Sequence, residues 1–336
     1  MDIMKKPMGL LTGFIIFLIA FLTVGCEGNL LNEEKHNVST FRLVTDLPTE
    51  SQGYQQLLLF AEMVQEKSDG QILIKLYSED QWSESKSYLS YLALNTIEMA
   101  CLSTNEFMAQ VPQYEIFNLP YLFDNEADVA QYFLGAKGQE ALALIDSAQF
   151  QPLGFVGNGY LYFVHNAPVL EGFHRWKGMS LAIADIPLYQ QSLKTVGITP
   201  LSLSDGGKGQ GWCIDESAVQ EKIALKQINE GYSLNDPDMF YQIQVVLGSP
   251  KWWQSLSEDE KDLLQSCFNQ AQQTTMAQPK TLQQQFPNGG ITLVPLTAEE
   301  KSALALSTRG IVEQYLMQGT NSLASQWITP PVDIVQ

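Results

Sequence analysis

A glycine-rich run, Gly206–Gly211, contains residue types that can hold phosphate groups. A Walker A loop needs Ser or Thr directly after its lysine to hold magnesium, and here Gly209 follows Lys208. A dinucleotide-binding turn leads into a helix, whereas the residues that follow this run, Trp212–Ile214, are apolar and lack helical periodicity. The run therefore predicts a flexible loop and no nucleotide site.

Nucleophilic and metal chemistry lack the partner residues that they need. Gly178–Ala182 approximates a nucleophile elbow, but the strand pattern lies on and after Ser180, whereas the motif places the strand before its serine. The three histidines are His36, His165 and His174, and no His pair or Cys pair has metal-ligand spacing. No nucleophile stands beside an orienting base, so the sequence predicts a protein that is not an enzyme and uses no cofactor or metal.

The N-terminal segment has the pattern of an export signal. Two lysines precede an uncharged apolar run, residues 8–25, and Cys26 follows. The residues before Cys26 resemble a bacterial lipobox, although Thr23 stands where that pattern usually has leucine. We therefore expect a lipoprotein signal peptide at 1–25, lipidation of Cys26 and a flexible polar tether at 26–39. A cleaved soluble form and a retained membrane anchor are the alternatives.

The composition is that of an acidic folded protein. The chain has 336 residues, with 19 Lys and Arg against 37 Asp and Glu, a net charge of −18 and a pI near 4.5. This acidity argues against nucleic-acid binding, because affinity for phosphate backbones comes mainly from Lys and Arg. A hydrophobic fraction of 45% and this length predict about two domains with their own cores. Only three basic residues are arginine: Arg42, Arg175 and Arg309.

Three cysteines remain once the signal is removed. Cys101, Cys213 and Cys267 are an odd number, so no closed set of disulfides can use them all. Their neighbours are apolar, which favours buried and unreactive thiols. A Cys101–Cys213 disulfide is the alternative.

Strand and helix patterns alternate along the body of the chain. Strand patterns lie at 41–45, 72–76, 98–102, 153–156, 160–164, 180–184 and 200–203. Helical patterns lie between Gln52 and Gly70 and at 84–95, 126–134, 138–148, 258–273 and 298–317. Capping-box pairs stand at Thr49 and Gln52, at Ser257 and Glu260, and at Thr297 and Glu300. The alternation predicts an α/β architecture with largely parallel sheets.

Six blocks in this order carry a resemblance to a known family. The most specific is Ile116–Phe123 (IFNLPYLF), which is close to an F-x-L-P-[FY]-L-F signature. The other blocks are the β-α-β unit at 41–77, Asn158–Gly159, Trp176–Met179, the pair Gln210 and Asp215, and Trp253–Leu256. Together they resemble the DctP-type solute-binding proteins of TRAP transporters.

The resemblance implies a two-domain periplasmic-binding-protein-like α/β fold with a ligand cleft between the domains and a long connecting helix. Domain I is expected at 40–157 and about 235–250. Domain II is expected at 158–234 and about 251–330, with long C-terminal helices. The implied protein is an extracytoplasmic receptor, lipid-anchored on the periplasmic or extracytoplasmic side of the membrane, that passes a small solute to TRAP membrane subunits.

The resemblance also shows where this chain departs from the family. Two positions at which the family usually has arginine fall on Leu161 and Ala182, and a position that is often small or Asn falls on Trp212. An arginine binds a carboxylate through two charge-assisted hydrogen bonds, so its loss should weaken such a ligand by about a hundredfold. We therefore expect a neutral or hydrophobic ligand in place of a simple carboxylate.

The ligand-binding residues expected from this comparison are Asp46, Ser103, Tyr160, Leu161, Ala182, Gln210, Trp212 and Asp215. In the alternative, Trp212 fills the cleft. The chain is then a receptor-derived lipoprotein that acts as a protein-interaction or accessory module without a small-molecule ligand.

Overall fold

The computed structural model describes residues 38–78, 81–82, 87–166, 176–207, 209–276, 286, 291–319 and 321–328. The predicted signal peptide and Cys26 lie outside these residues, as do His36, Arg175 and Lys208. None of the described helices is long and apolar enough to cross a membrane.

Strands and helices alternate as the sequence predicts. The strands are β1 (Ser39–Thr45), β2 (Ile72–Tyr77), β3 (Met99–Ser103), β4 (Gln151–Tyr160), β5 (Tyr162–His165), β6 (Ser180–Ile183), β7 (Thr199–Ser202), β8 (Gly211–Ile214), β9 (Ser233–Asn235), β10 (Tyr241–Gly248) and β11 (Thr292–Leu293). The α-helices are α1 (Gln52–Lys67), α2 (Tyr88–Ala93), α3 (Thr104–Phe107), α4 (Glu126–Leu134), α5 (Ala136–Leu142), α6 (Pro187–Thr195), α7 (Glu216–Ala224), α8 (Pro250–Ser255), α9 (Glu258–Met276), α10 (Ala298–Met317) and α11 (Ala324–Trp327). A 3₁₀ helix covers Pro112–Asn118.

The strands form two mixed sheets, which confirms the predicted α/β architecture. The prediction of largely parallel sheets was wrong, because four of the nine strand pairings among the described residues are antiparallel. The first sheet has the order β2-β1-β3-β10-β4, and the second has the order β11-β9-β5-β8-β6-β7. In the first sheet β1 is parallel to β2 and β3, whereas β10 is antiparallel to β3 and β4. In the second sheet β6 is parallel to β7 and β8. Strand β4 of the first sheet leads almost directly into β5 of the second, since only Leu161 separates them.

Two of the three predicted capping boxes are formed. At the start of α10 the Thr297 hydroxyl accepts a hydrogen bond from the Glu300 backbone N–H, and the Glu300 carboxylate accepts one from the Thr297 backbone N–H. The pair at the start of α9 has the same reciprocal bonds. The prediction for α1 was wrong, because Ser51 is its N-cap and accepts from the Tyr54 N–H at 3.2 Å.

The cores follow the sheets. Helices α1 and α9 pack on the first sheet, where Phe268 of α9 meets Phe60 of α1 with ring centres 5.3 Å apart. The block Ile116–Phe123 contributes Phe117 and Phe123 to the other core on this sheet. The aromatic side chains of this block therefore have a packing role. The packing groups α9 with the first sheet, although the predicted division placed 251–330 with the second domain. The domain boundaries themselves stay a prediction.

Helix α10 contacts cores on both sheets. Leu304 near its start is fully buried in a core of the second sheet, and Ile311 and Tyr315 near its end lie in a core of the first sheet. With 20 residues the helix is about 30 Å long. It therefore has the position expected for the long connecting helix.

Candidate functional site

A cleft of about 690 Å³ lies between the loop that follows β1 and helix α7. Its lining residues are Asp46, Leu47, Pro48, Thr49, Glu50, Ser78, Ser217, Gln220, Glu221 and Ala224. The first six follow strands of the first sheet, and the other four belong to the helix that follows β8 of the second sheet. Both sheets thus contribute to the walls of the cleft.

The topology explains why the cleft lies there. The segments that line it follow the carboxyl ends of the parallel strands β1 and β2 and of β8, which runs parallel to β6. In open α/β sheets, ligands bind outside the carboxyl ends of the strands, because the connections that leave these ends diverge around a crevice. The location is therefore typical of ligand sites in α/β proteins.

Acidic side chains give the cleft its charge. Asp46 and Glu50 line one wall and Glu221 lines the other. No lysine or arginine is among the described residues that line it. Two described arginines are engaged elsewhere: Arg42 forms a two-point ion pair with Glu98, and Arg309 contacts Glu313 one turn along α10.

The helix N-termini beside the cleft are already capped. The Asp215 carboxylate accepts a hydrogen bond from the Ala218 N–H at 2.9 Å at the start of α7, and the Ser217 hydroxyl donates to the same oxygen at 2.6 Å. At the start of α1 the Ser51 hydroxyl accepts from the Tyr54 N–H. Side chains of the protein therefore occupy backbone donors that would otherwise attract an anion.

Comparison with known proteins identifies the family. Residues 43–206 match DctP, described as bacterial extracellular solute-binding protein, family 7. The match begins within β1 and includes the Ile116–Phe123 block, Leu161 and Ala182. The chain belongs to the DctP family.

Relatives and solved structures agree with this assignment. The C4-dicarboxylate-binding periplasmic protein DctP of Vibrio cholerae is 22% identical over 281 residues, which cover 80% of each chain. The sialic acid-binding periplasmic protein SiaP of Vibrio cholerae is 22% identical over 283 residues, 81% of this chain and 86% of SiaP. A TRAP periplasmic solute-binding protein from Ralstonia eutropha, solved with bound (S)-2-acetolactate, has a TM-score of 0.70 at 19% identity and covers 86% of this chain and 97% of its own. These relatives are binding proteins, so the DctP chain described here is not an enzyme.

Two residues of the expected ligand set lie at the cleft of this DctP protein. Asp46 lines it directly, in the loop after β1. Asp215 adjoins it as the N-cap of α7, where its carboxylate holds the hydroxyl of the lining residue Ser217. Both follow the carboxyl ends of strands.

Ser103 and Tyr160 both lie on strands that pair with β10, and neither lines the cleft. Ser103 ends β3, accepts a hydrogen bond from the Asn105 N–H at 3.2 Å and borders a small cavity of about 20 Å³. Tyr160 ends β4 and packs edge-on against Tyr241 with ring centres 4.9 Å apart. Burial raises the pKa of the Tyr160 hydroxyl, which has no hydrogen-bond partner among the described residues.

Ala182 and Trp212 lie in a core and not at the cleft surface. Ala182 has no exposed area, and its Cα pairs with that of Trp212 across β6 and β8. The Trp212 indole stacks on the Tyr232 ring at 5.9 Å, with the Lys222 ammonium 5.0 Å from the centre of the indole. The core that contains Ala182 and Trp212 is covered in part by Val219 of α7.

Leu161 and Gln210 are also separated from the cleft. Leu161 is buried on the opposite face of the second sheet from Ala182, in a different core. Gln210 precedes β8, where its side-chain oxygen accepts a hydrogen bond from the Ser180 N–H at 3.0 Å. Asp215 follows the same strand. Five residues of extended chain span about 16 Å, so Gln210 and Asp215 lie at opposite edges of the sheet.

Other residues with chemical potential have structural roles. A Cβ added to Gly211 would lie 1.9 Å from the Val164 carbonyl oxygen, so this glycine allows β5 and β8 to approach. His165 is buried, with Nε2 2.9 Å from the Asn235 side-chain oxygen. Ser180 begins β6, which does not match a nucleophile elbow. No three His, Cys, Asp or Glu side chains in the described ranges are grouped to hold a metal ion.

The described cysteines confirm the prediction of buried thiols. Cys101, Cys213 and Cys267 are all free and buried, so the alternative disulfide between Cys101 and Cys213 is absent. Burial raises the pKa of each thiol, which leaves it protonated and unreactive.

Sequence reasoning missed most of the residues that line the cleft. The missed polar residues are Thr49, Glu50, Ser78, Ser217, Gln220 and Glu221. One signal was available, because Asp215 followed by Glu216 is an N-cap with an acidic first turn and marks the start of α7 after a strand. No comparable signal marks Ser78, which simply follows the end of β2.

Proposed function

We propose that this DctP protein is the extracytoplasmic receptor of a TRAP transporter and holds a small solute in the cleft between the loop after β1 and α7. The observation that carries the proposal is the cleft itself. Its volume of about 690 Å³ lies within the usual range of about 300–1,000 Å³ for small-molecule sites. Its walls come from segments attached to two different sheets. The receptor then delivers its solute to TRAP membrane subunits.

The proposed solute is not a simple carboxylate. Relatives at 22% identity are named for C4-dicarboxylates and sialic acid. A guanidinium that forks onto a carboxylate contributes about 1.5–3 kcal/mol per hydrogen bond, and no described side chain in this cleft supplies one. The lack of such a fork corresponds to about a hundredfold weaker binding.

A polar solute fits the cleft better than a hydrophobic one. The expectation of a hydrophobic ligand rested on Leu161, Ala182 and Trp212 facing the solute, and all three side chains lie in cores. The lining instead offers the hydroxyls of Thr49 and Ser78 and the polar side chains of α7. Such groups favour a solute that forms several hydrogen bonds.

Native mass spectrometry of the purified protein and a thermal-shift screen of small metabolites test the proposal. Ala224 is exposed and lines the cleft, so Ala224→Trp should fill part of the cleft and abolish both the bound mass and the thermal shift. Ala143→Trp is the matched control, because Ala143 is also exposed, at the end of α5, and lies outside the cleft. An empty protein that no metabolite stabilises would instead favour the accessory module without a ligand.

The lipid anchor at Cys26 is part of the same proposal. A receptor tethered through residues 26–39 would remain close to its membrane subunits while its folded body moves. We expect Cys26→Ser to move the protein from the membrane fraction to the soluble extracytoplasmic fraction without changing solute binding. If the Cys26→Ser protein stayed with the membrane, the apolar run at 8–25 would be a retained anchor and the lipidation prediction would be wrong.

A further inference from the structure

One face of α10 carries exposed apolar side chains. Met317 and Leu306 are the two most exposed large apolar residues in the described part of the chain, with 80% and 68% of their surface exposed. Both lie on the face of α10 opposite Leu304, Ile311 and Tyr315, which pack in the cores. We propose that two copies of this protein form a dimer in which their α10 helices pack antiparallel along the exposed face.

The spacing along this face is that of a coiled-coil seam. The residues at intervals of three, four, three and four positions are Ala303, Leu306, Gly310, Glu313 and Met317. Such a repeat keeps the side chains on one line along a helix, and a second helix packs against that line. These five residues form the α10 stripe.

An antiparallel pair brings complementary groups together twice. When Leu306 faces Met317 of the second copy, two-fold symmetry places the second Leu306 against the first Met317. The same alignment places Gly310 opposite Glu313, so Arg309 lies only about 1.5 Å along the axis from the level of the other Glu313. Both symmetry-related pairs therefore combine an apolar contact with an ion pair.

The charged groups favour the antiparallel arrangement. Among the described residues, Arg309 donates through Nε alone, to Glu313 Oε1 of its own helix at 2.7 Å. Its two terminal guanidinium nitrogens can therefore donate to the carboxylate of the second copy. A parallel pair in register would instead set Arg309 beside Arg309 and Glu313 beside Glu313, and like charges repel.

The same contact explains the glycine in the middle of the stripe. A glycine inside a helix lowers stability by about 1 kcal/mol relative to alanine. A Cβ added to Gly310 would meet nothing within 4 Å, so packing among the described residues does not require this glycine. The missing side chain allows a second helix to approach α10 closely.

A groove beside the stripe enlarges the surface. It has a volume of about 520 Å³ and follows α10 from Ser302 to Leu316, with Leu119, Leu122 and Ile328 on its other side. The stripe alone is about 20 Å long and about 10 Å wide. Each partner in a typical stable interface buries about 800 Å². A second helix on the stripe would cover the groove as well, but the area stays at the low end, so we expect a dimer that dissociates on dilution.

Disulfide crosslinking of the full chain in the cells that express it tests the register. Leu306→Cys combined with Met317→Cys places thiols about 16 Å apart along one helix, whereas a disulfide needs Cα atoms within about 7 Å. No bond can therefore form within one copy, but the two positions face each other between antiparallel copies. We expect mild oxidation to convert most of this double variant into a dimer on a non-reducing gel. The native Cys101, Cys213 and Cys267 are buried, which keeps them out of the reaction.

The single variants and a second pair are the controls. Leu306→Cys or Met317→Cys alone should give little dimer, because each residue lies about 16 Å from its own counterpart in the second copy. Leu94→Cys combined with Leu225→Cys is the matched control, since both leucines are also exposed and lie outside α10. Equal crosslinking by this control pair would show random collision and overturn the proposal. Crosslinking by the single variants as efficient as by the double variant would overturn the antiparallel register.

Sedimentation velocity of the purified protein over a range of concentrations measures the dimer without crosslinks. Leu306→Asp should raise the dissociation constant of the dimer by about tenfold or more, because each dimer loses two apolar contacts. Leu94→Asp is the control and should leave that constant unchanged, and both leucines are exposed, so neither variant removes core packing. A protein that is monomeric at every concentration would overturn the proposal and leave the stripe to another partner, such as a membrane subunit. These measurements need no solute, so their failure is distinct from a failure of the proposed function.

Discussion

Ala182 and Trp212 are Cα partners on adjacent parallel strands, and both side chains lie in the core that α7 helps to cover. The motifs that resemble the family place one at a position that is usually arginine and the other at a position that is often small or Asn. The small and the large side chain lie in the same core. The indole fills space next to the alanine, so the pair contributes to the packing of this core.

Restoring the arginine should damage folding before it changes specificity. Ala182→Arg places a charge at a site with no exposed area, so we expect a loss of about 3–5 kcal/mol in the free energy of unfolding. Urea unfolding followed by circular dichroism measures it. Ala224→Arg, at an exposed position of α7, should change stability by less than about 0.5 kcal/mol. Normal stability of Ala182→Arg together with new carboxylate binding would mean that residue 182 faces the cleft.

Removal of the indole should also act on stability. Trp212→Ala is expected to lower the free energy of unfolding by about 3–5 kcal/mol, because the stacked Tyr232 ring and the Lys222 ammonium lose their partner. Trp212→Phe should recover more than half of that loss. The measurement is again urea unfolding, with solute affinity determined in parallel. A Trp212→Ala protein of unchanged stability that binds many new solutes would support the alternative in which Trp212 plugs the cleft.

The ion pair between Arg42 of β1 and Glu98, which directly precedes β3, should contribute more to stability than the surface pair on α10. Glu98 accepts from Arg42 Nε at 2.8 Å, from the second guanidinium nitrogen at 2.7 Å and from the Arg42 backbone N–H at 2.8 Å. Glu98→Gln should therefore cost about 1–3 kcal/mol of stability. Glu313→Gln removes a single-contact ion pair between residues one helical turn apart, and it should lower stability by less than about 0.5 kcal/mol. Equal costs would show that the two-point geometry contributes nothing.

Asp236 should make stability fall as the pH rises from about 4 to 7. Burial and the neighbouring Asp238 carboxylate raise the pKa of Asp236 to about 7, whereas an aspartate in an unfolded chain ionises near pH 4. The folded state binds the proton more tightly, so its contribution is complete below pH 4 and is lost through pH 7. Asp236→Asn should remove this pH dependence, which amounts to as much as about 4 kcal/mol in the free energy of unfolding between pH 4 and pH 7. Asp259→Asn, at an exposed position on α9, should leave the slope unchanged.

Much of the fold was predictable because its signals are local. The capping boxes at Ser257 and Thr297 place the starts of α9 and α10 correctly, since each is a contact between residues three apart. Helix α1 shows the limit of such signals. Ser51 and Thr49 both suit an N-cap, and the Thr49 hydroxyl is used by Glu50 instead.

The site was harder to predict because it depends on which way each strand points. A family motif fixes the register of Gln210 and Asp215 but not the edge of the sheet at which each lies, and the four residues of β8 separate them. The same applies to Leu161 and Ala182, which enter cores on opposite faces of one sheet. Glu221 had no signal of its own, because its place in the cleft depends on the packing of α7.

Helix α10 couples the two sheets that border the cleft, although the residues that couple them lie outside the cleft. Leu304 packs the start of the helix on the second sheet, and Tyr315 packs its end on the first. A rotation of one sheet relative to the other would therefore bend the helix between these two contacts. Gly310 lies between these contacts, and an added Cβ there would meet nothing within 4 Å. Gly310→Ala should make the helix harder to bend, because alanine favours the helical conformation more than glycine does. The measured solute affinity should then change, because it depends on the fraction of molecules in the binding-competent form.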